Sequence, residues 1–126
     1  MKFPMLEEED LLKKSHFPVA VVFDTISTSM CLQVIEGFSE HIGWGGNSGC
    51  CLFWEELDEL QRKETKVPGD IIFFFWEMPV EEEVALSYAE LYYYMQLTCE
   101  RYAQHYPESR EPLQKALQNF REKHDL

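Results

Sequence analysis

The sequence is poor in basic residues, and the few that it has are unevenly distributed. It contains 11 Lys and Arg against 23 Asp and Glu, which gives a formal net charge of -12. No Lys or Arg occurs in residues 15–61 or in residues 67–100, although each window holds seven acidic residues. Such a polyanion repels nucleic-acid phosphates and anionic lipids, so direct binding to DNA, RNA or a membrane surface is disfavoured. A basic partner is favoured instead.

Long apolar runs are also missing. The longest, residues 18–23 and 71–76, contain six residues each, whereas a membrane-spanning helix requires roughly 20. The N-terminal segment has no apolar core of the length that a secretory signal requires, so we expect no export. The four cysteines do not have the spacing of a disulfide scaffold. Reduced thiols in a cytoplasmic protein are therefore the expected state.

The length of 126 residues predicts a single globular domain over residues 1–126, which can bury a core without disulfides. Residues 19–23 and 71–76 are rich in β-branched and aromatic side chains and are predicted to be central strands of a small sheet. The second run is apolar at every position, so Phe74 is expected to be fully buried and helices are expected to cover both faces. The predicted fold class is α/β, with α+β as the alternative and about four helices.

Helical periodicity occupies much of the remaining chain. The first helix is predicted to begin at Thr28 or Ser29. Its apolar stripe comprises Met30, Cys31, Val34, Ile35, Phe38 and Ile42. A capping box from Ser87 to Glu90 predicts a helix that continues to about His105. A last helix is expected to follow with Pro112 in its first turn, and its predicted apolar residues are Leu113, Ala116, Leu117 and Phe120. Residues 50–53 are predicted to form a strand, and a short surface helix should follow within 53–64.

The segment 41–51, His-Ile-Gly-Trp-Gly-Gly-Asn-Ser-Gly-Cys-Cys, resembles a binding loop only superficially. A phosphate-binding loop places its glycines after a strand and before a helix, usually with a Lys, whereas these glycines follow a predicted helix and have no Lys or Arg nearby. Gly43 is therefore interpreted as the residue that ends the helix. Adjacent Cys50 and Cys51 lack the spacing of zinc ligands, even with His41 nearby, and are expected to pack in the core.

No catalytic motif stands out. A Cys–His pair is arithmetically possible among four cysteines and four histidines, but nothing in the local sequence selects one, and Cys31 and Cys99 fall on apolar helix stripes where thiols are inert. Gly46-Asn47-Ser48-Gly49 does not match a serine nucleophile motif. We therefore expect no catalytic residue, no metal and no cofactor.

Acidic and aromatic residues supply candidates for binding a basic partner. The three consecutive glutamates before Ser87 are expected to lie in a solvated turn. Tyr93 is predicted to face solvent, with Tyr92 and Tyr94 at the flanks of the core-facing stripe, and Trp44 either anchors a partner or folds back onto the core. The candidate partner-binding residues are Trp44, Glu55, Glu56, Asp58, Glu59, Glu77, Glu81, Glu82, Glu83 and Tyr93.

Residues 44–50 (Trp-Gly-Gly-Asn-Ser-Gly-Cys), 91–94 (Leu-Tyr-Tyr-Tyr) and 99–102 (Cys-Glu-Arg-Tyr) resemble bacterial immunity proteins of contact-dependent growth inhibition systems. The resemblance spans about residues 18–106. It implies a cytoplasmic, non-enzymatic protein that blocks the C-terminal toxin domain of a secreted effector, often an RNase or DNase. A nuclease surface must attract phosphates, so an acidic inhibitor is compatible with it. The alternatives are a small intracellular enzyme with an unrecognised Cys/His or carboxylate site, and an acidic adaptor of another basic protein.

Overall fold

A computed structural model of the chain describes residues 6–46, 49–77 and 80–126. In chain order the elements are α1 (Phe17–Asp24), α2 (Cys31–Ser39), β1 (Trp44–Gly45), β2 (Gly49–Phe53), α3 (Glu59–Glu64), β3 (Ile71–Glu77), β4 (Val80–Leu86), α4 (Tyr88–His105) and α5 (Arg110–Lys123). The four strands form one antiparallel sheet in the order β1-β2-β3-β4. The predicted mixture of helices with a small sheet is confirmed, in the α+β arrangement.

The predicted strand at 19–23 is wrong, because these residues lie within helix α1. Pro18 stands in the first turn of that helix, where its missing N–H costs no hydrogen bond. Val19, Val22 and Phe23 are buried. A short run that is apolar at every position has no period to distinguish a buried strand from a buried helix, so β-branched content alone misassigned it.

Helix α2 carries the predicted apolar stripe, but it ends differently from the prediction. Its first turn follows a 3-10 turn at Thr28–Met30. At its C-terminus the Ile42 N–H donates to the Gly37 carbonyl at 2.8 Å and the His41 N–H donates to the Phe38 carbonyl at 3.0 Å. This is a Schellman ending in which His41, with φ 63°, takes the left-handed position expected of a glycine. Gly43 therefore does not end the helix, and Ile42 is exposed.

Gly43 and Gly49 are required by close packing of the backbone. A Cβ on Gly43 would lie 2.1 Å from the Cys51 carbonyl oxygen, and one on Gly49 would lie 2.3 Å from the Phe74 carbonyl oxygen. The glycines of the 41–51 segment thus let β1 and β2 join the sheet. Asn47 and Ser48, which belong to the same segment, lie outside the described residues.

The sheet buries its two faces unequally. One face contributes alternate residues of β2, β3 and β4 to the common hydrophobic core. These residues are Cys51, Phe53, Ile71, Phe73, Val84 and Leu86. Helix α1 packs on this face, where Phe17 meets Phe75 and Phe23 meets Phe73. On the other face Ile72 is fully buried, but Phe74 is only half-buried and Trp76 is 43% exposed. The expectation of a fully buried Phe74 is therefore wrong, because this face is covered less completely than the other.

The three glutamates that were expected in a turn belong to strand β4. Glu81 lies opposite Trp76, Glu82 opposite Phe75 and Glu83 opposite Phe74 in the register with β3. Glutamate has a low strand preference, so local sequence gave no signal for this strand, and the pairing with the strongly apolar β3 overrides it. Strand β4 forms one edge of the sheet.

Helices α4 and α5 are confirmed. The Ser87 hydroxyl accepts from the Glu90 N–H at 3.2 Å and the Glu90 carboxylate accepts from the Ser87 N–H at 2.9 Å, which completes the predicted capping box. Both α4 and α5 bury their apolar stripes, and α5 carries Leu113, Ala116, Leu117 and Phe120 inward.

Tyr94 lies in the core and not at its flank, because the N-terminal segment covers that side of α4. Its hydroxyl accepts from the Leu12 N–H at 2.9 Å and contacts His16 Nδ1 at 2.7 Å, so the buried phenol is fully satisfied. Asp10 fastens the same segment through two hydrogen bonds from Arg101, at 2.7 and 2.8 Å. The Arg101 guanidinium lowers the pKa of the Asp10 carboxyl.

Candidate functional site

The predicted acidic residues form two groups at opposite ends of the sheet. Phe53, Ile71 and Leu86 align at one end, and residues 55–59 follow directly from it. Glu77 and Glu81 lie at the other end, beyond the pairing of Gly49 with Phe75. The seven residues of β3 separate the two groups, which corresponds to roughly 20 Å at 3.3 Å per residue. The two groups therefore do not form one compact patch.

The carboxylates of the 55–59 group already serve the local structure. Glu56 accepts from the Phe53 N–H at 2.8 Å and from the Gly43 N–H at 3.2 Å. Asp58 caps α3 by accepting from the Gln61 N–H at 2.7 Å. Glu59 approaches Lys63 at 3.7 Å, an exposed ion pair of the kind that contributes little stability. Glu55 is hydrogen-bonded to His41.

The hairpin group is differently placed. Glu77, Glu81 and Glu82 are exposed, and among the described residues no hydrogen bond or ion pair engages their carboxylates. Glu83 is half-buried and accepts from the Lys66 backbone N–H at 2.7 Å. Because β4 is an edge strand, neighbouring side chains alternate between its two faces, so Glu81 and Glu82 flank the edge from opposite sides.

The two predicted aromatic anchors lie apart from each other and are both held by the protein. Trp44 is half-buried on β1, at the sheet edge opposite β4, and its indole N–H donates to Thr25 Oγ1 at 3.1 Å. Trp44 thus folds back onto the core, which is one of the two outcomes expected of it. Tyr93 faces outward as predicted, 39% exposed, with its hydroxyl donating to the Asp10 carbonyl at 3.2 Å.

Trp76 is an exposed aromatic residue that sequence reasoning missed. It was assigned to a strand buried on both faces, yet it is 43% exposed beside Glu81. The position of Trp76 near the end of an apolar strand hints at exposure, but only the incomplete cover of this sheet face in the folded protein reveals it. We call Trp76 and the exposed glutamates at this end of the hairpin the hairpin surface: Trp76 and Glu81 on one face of β3 and β4, and Glu77 and Glu82 on the other.

The family model described as CDI immunity protein, where CDI is contact-dependent growth inhibition, matches residues 8–117. The chain belongs to the CDI immunity protein family. Curated protein sequences gave no match to it. A CDI immunity protein is an inhibitor that neutralises a cognate toxin, so the alternative of an enzyme is set aside.

The thiols of this CDI immunity protein are consistent with that role. Cys31, Cys51 and Cys99 are buried and free. Burial raises the pKa of the Cys31 thiol to about 12 and raises the pKa of Cys51 and Cys99 as well. The thiolate is the nucleophilic form, so these side chains are inert at neutral pH. No group of three His, Cys, Asp or Glu within the described part of the chain is arranged to hold a metal ion.

The most unusual side-chain cluster of the CDI immunity protein joins two histidines that sequence reasoning considered only as partners of cysteine. His41 and His124 are 83 positions apart in the chain, and their Nε2 atoms are 2.8 Å from each other. No local pattern could indicate this contact.

None of the described helices combines the length and apolar character that crossing a bilayer requires.

Proposed function

We propose that this immunity protein neutralises a basic nuclease, the C-terminal toxin domain of a secreted effector, in the cytoplasm. The charge distribution supports this partner. A nuclease must attract phosphates, so its substrate-binding surface is positive, and an inhibitor with a formal net charge of -12 is attracted to it at long range. Within residues 15–61 and 67–100 no Lys or Arg side chain offsets the seven acidic residues of each window.

We further propose that the hairpin surface contacts the toxin. The observation that carries this choice is the contrast between the two acidic groups. The carboxylates of 55–59 bind backbone N–H groups, His41 or Lys63, and Arg62 lies beside them on α3. The carboxylates of Glu77, Glu81 and Glu82 are exposed instead, so they can pair with a partner's cations without breaking local structure.

Trp76 is the proposed aromatic anchor in this surface. Large aromatic side chains at the centre of an interface contribute much of the binding energy when a ring of polar residues excludes water around them. Trp76 is 43% exposed and lies opposite Glu81, so an aromatic ring and an acidic side chain can contact a partner together. Trp44 is a weaker candidate, because it is half-buried at the sheet edge opposite β4. Tyr93, which is 39% exposed on α4, remains an alternative.

The experiment measures association with the cognate toxin domain. Raising the salt from about 50 to 500 mM should slow association much more than it speeds dissociation, because screening shortens the range of the field. The double variant Glu81→Lys/Glu82→Lys should reduce the association rate. The matched control Glu55→Lys/Glu59→Lys, with the same charge change at the other end of the sheet, should reduce it less.

Trp76→Ala should instead act on dissociation and weaken binding by about 2 kcal/mol or more. Thermal melts of each variant establish that it is folded. An association rate that ignores salt would contradict a charge-driven encounter with a basic toxin. Slower association only in the Glu55/Glu59 variant would move the contact to the other end of the sheet.

A further inference from the structure

His41 and His124 meet beside a carboxylate, away from the hairpin surface. Their Nε2 atoms are 2.8 Å apart, and the other ring nitrogen of His41, Nδ1, is hydrogen-bonded to the carboxylate of Glu55. The His41 side chain is 15% exposed and that of Glu55 is 61% exposed. The three side chains therefore form a linear hydrogen-bonded series that runs from an exposed carboxylate through one imidazole to a second.

Stacked rings fix the orientation of both imidazoles. His41 lies parallel to Phe53 at 4.6 Å between ring centroids, and His124 lies parallel to Tyr88 at 3.7 Å. The rings come from the end of α2, from β2, from α4 and from the end of α5. The left-handed φ of 63° at His41 adds to this constraint, because few residues adopt it without support from their surroundings.

The hydrogen bonds limit the number of protons that the series can hold. An ionised carboxylate only accepts, so the Glu55 contact requires a proton on His41 Nδ1. A nitrogen-to-nitrogen contact of 2.8 Å requires one proton between the two Nε2 atoms. With both imidazoles neutral, His124 donates to His41. With one added proton, His41 becomes the cation and donates to both neighbours.

A second added proton is incompatible with the same geometry. Both Nε2 atoms would then carry hydrogen, so N–H would face N–H and two positive charges would lie in contact. The other ionisable or charged groups that face the pair are Glu55 from the turn after β2, Asp70 before β3, Tyr88 of α4 and Lys123 of α5. The negative charges of Glu55 and Asp70 favour the first added proton, whereas the positive charge of Lys123 opposes the second.

We propose that Glu55, His41 and His124 form a proton-operated latch, which holds the end of α5 against the end of α2 and opens when both imidazoles become charged. The Lys123 ammonium also donates to the Ser39 carbonyl at 3.2 Å, so a second hydrogen bond joins α5 to the end of α2. Opening therefore lets the last turn of α5 unwind more often, while the rest of the helix stays folded and packed. Burial, followed by the neighbouring His41 and Lys123, lowers the pKa of His124, so opening requires mildly acidic conditions.

The first test observes the shared proton directly in protein labelled with ¹⁵N at histidine. At pH 7.5 a scalar coupling across the hydrogen bond should connect the Nε2 nuclei of His41 and His124. This coupling should disappear on acidification to about pH 5, which is roughly 1.5 units below the pKa of an unperturbed histidine and so allows for the lowered pKa of His124. Absence of the coupling at pH 7.5, or its persistence at full strength at pH 5, would overturn the proposal.

The second test asks whether loss of the hydrogen bond between the two histidines loosens the end of α5. Protection of the backbone amides of residues 121–123 against hydrogen exchange, corrected for the intrinsic pH dependence, should fall by roughly fivefold or more between pH 7.5 and 5. The amides of Ile72 and Phe73 in β3 report global opening and serve as the reference. A parallel loss at both places would mean general destabilisation and would contradict a local latch.

Two variants separate the latch from ordinary packing. His124→Phe keeps an aromatic ring to stack on Tyr88 but has no nitrogen, so residues 121–123 should show the same low protection at both pH values. The control His105→Gln removes an exposed histidine at the end of α4 and should keep the wild-type response. A wild-type pH response in His124→Phe, or its loss in His105→Gln, would refute the role of the pair. The measurements on the unaltered protein remain decisive even if His124→Phe fails to fold.

Discussion

Replacing Phe73 and Phe74 separately with Ala tests the unequal burial of the two sheet faces. The two residues are neighbours on β3, so strand preference and side-chain type are the same for both. Phe73 is completely buried, faces the common core and has its ring 6.2 Å from that of Phe23. Phe74 faces the other side, lies opposite Cys50 and Glu83, and is half-buried.

The expected costs follow from this burial. Truncation of a fully buried Phe removes its transfer energy and leaves a cavity, which together cost about 3 to 5 kcal/mol. At position 74 part of the ring already contacts water and its removal leaves a surface groove, so only part of the transfer energy is lost. We expect about 1 to 2 kcal/mol for Phe74→Ala.

Urea unfolding followed by the fluorescence of the three tryptophans measures both costs. The urea concentrations at half unfolding can be compared directly when the unfolding free energies of the variants depend equally steeply on urea. A changed steepness would indicate a different unfolded or native state. Domains of this kind have a total stability of about 5 to 15 kcal/mol. Phe73→Ala should therefore remove a large share of it, and Phe74→Ala a modest one. Equal costs, or a larger cost at position 74, would refute the one-sided core.

Two further predictions concern solution conditions. Burial lowers the pKa of His16, so the folded protein holds this imidazole neutral while the unfolded chain, with a pKa of about 6.5, binds a proton more readily. The free energy of unfolding should be highest above about pH 6.5 and should fall below it. His16→Gln should reduce this fall, which urea unfolding at a series of pH values measures. An equally steep fall in the variant would contradict the role of His16. A chelator or a reductant should leave the melting temperature unchanged. The four thiols are free, and the described residues form no cluster that could hold a metal ion. A drop of several degrees with the chelator would indicate a structural metal.

Local signals in the sequence were sufficient for the elements that carry their own boundary or period. The capping box of Ser87 and Glu90 defined the start of α4, and the spacing of Leu113, Leu117 and Phe120 defined the buried side of α5. The strand at Ile71–Glu77 was evident from its β-branched and aromatic content. Each of these signals lies within one or two turns or one strand, which is the range over which backbone preference and periodicity act.

Elements without such a signal depended on the tertiary structure. Residues 19–23 are apolar throughout and became a helix, whereas the consecutive glutamates of β4 became a strand because β3 offered backbone pairing. Burial was misjudged for the same reason. The periodicity of apolar residues predicts which side of a helix or strand a residue faces. Whether another element covers that side, and so buries the residue, depends on the packing of the whole chain.

The net charge and its two basic-free windows were determined by the sequence alone, because charge is a property of composition and needs no fold. The sequence also carried the family resemblance that the match over residues 8–117 confirmed. The separation of the acidic groups to opposite ends of the sheet, the exposure of Trp76 and the contact of His41 with His124 were decided only by the tertiary structure. Such contacts join residues far apart in the chain, and their geometry arises from packing that no local interaction specifies.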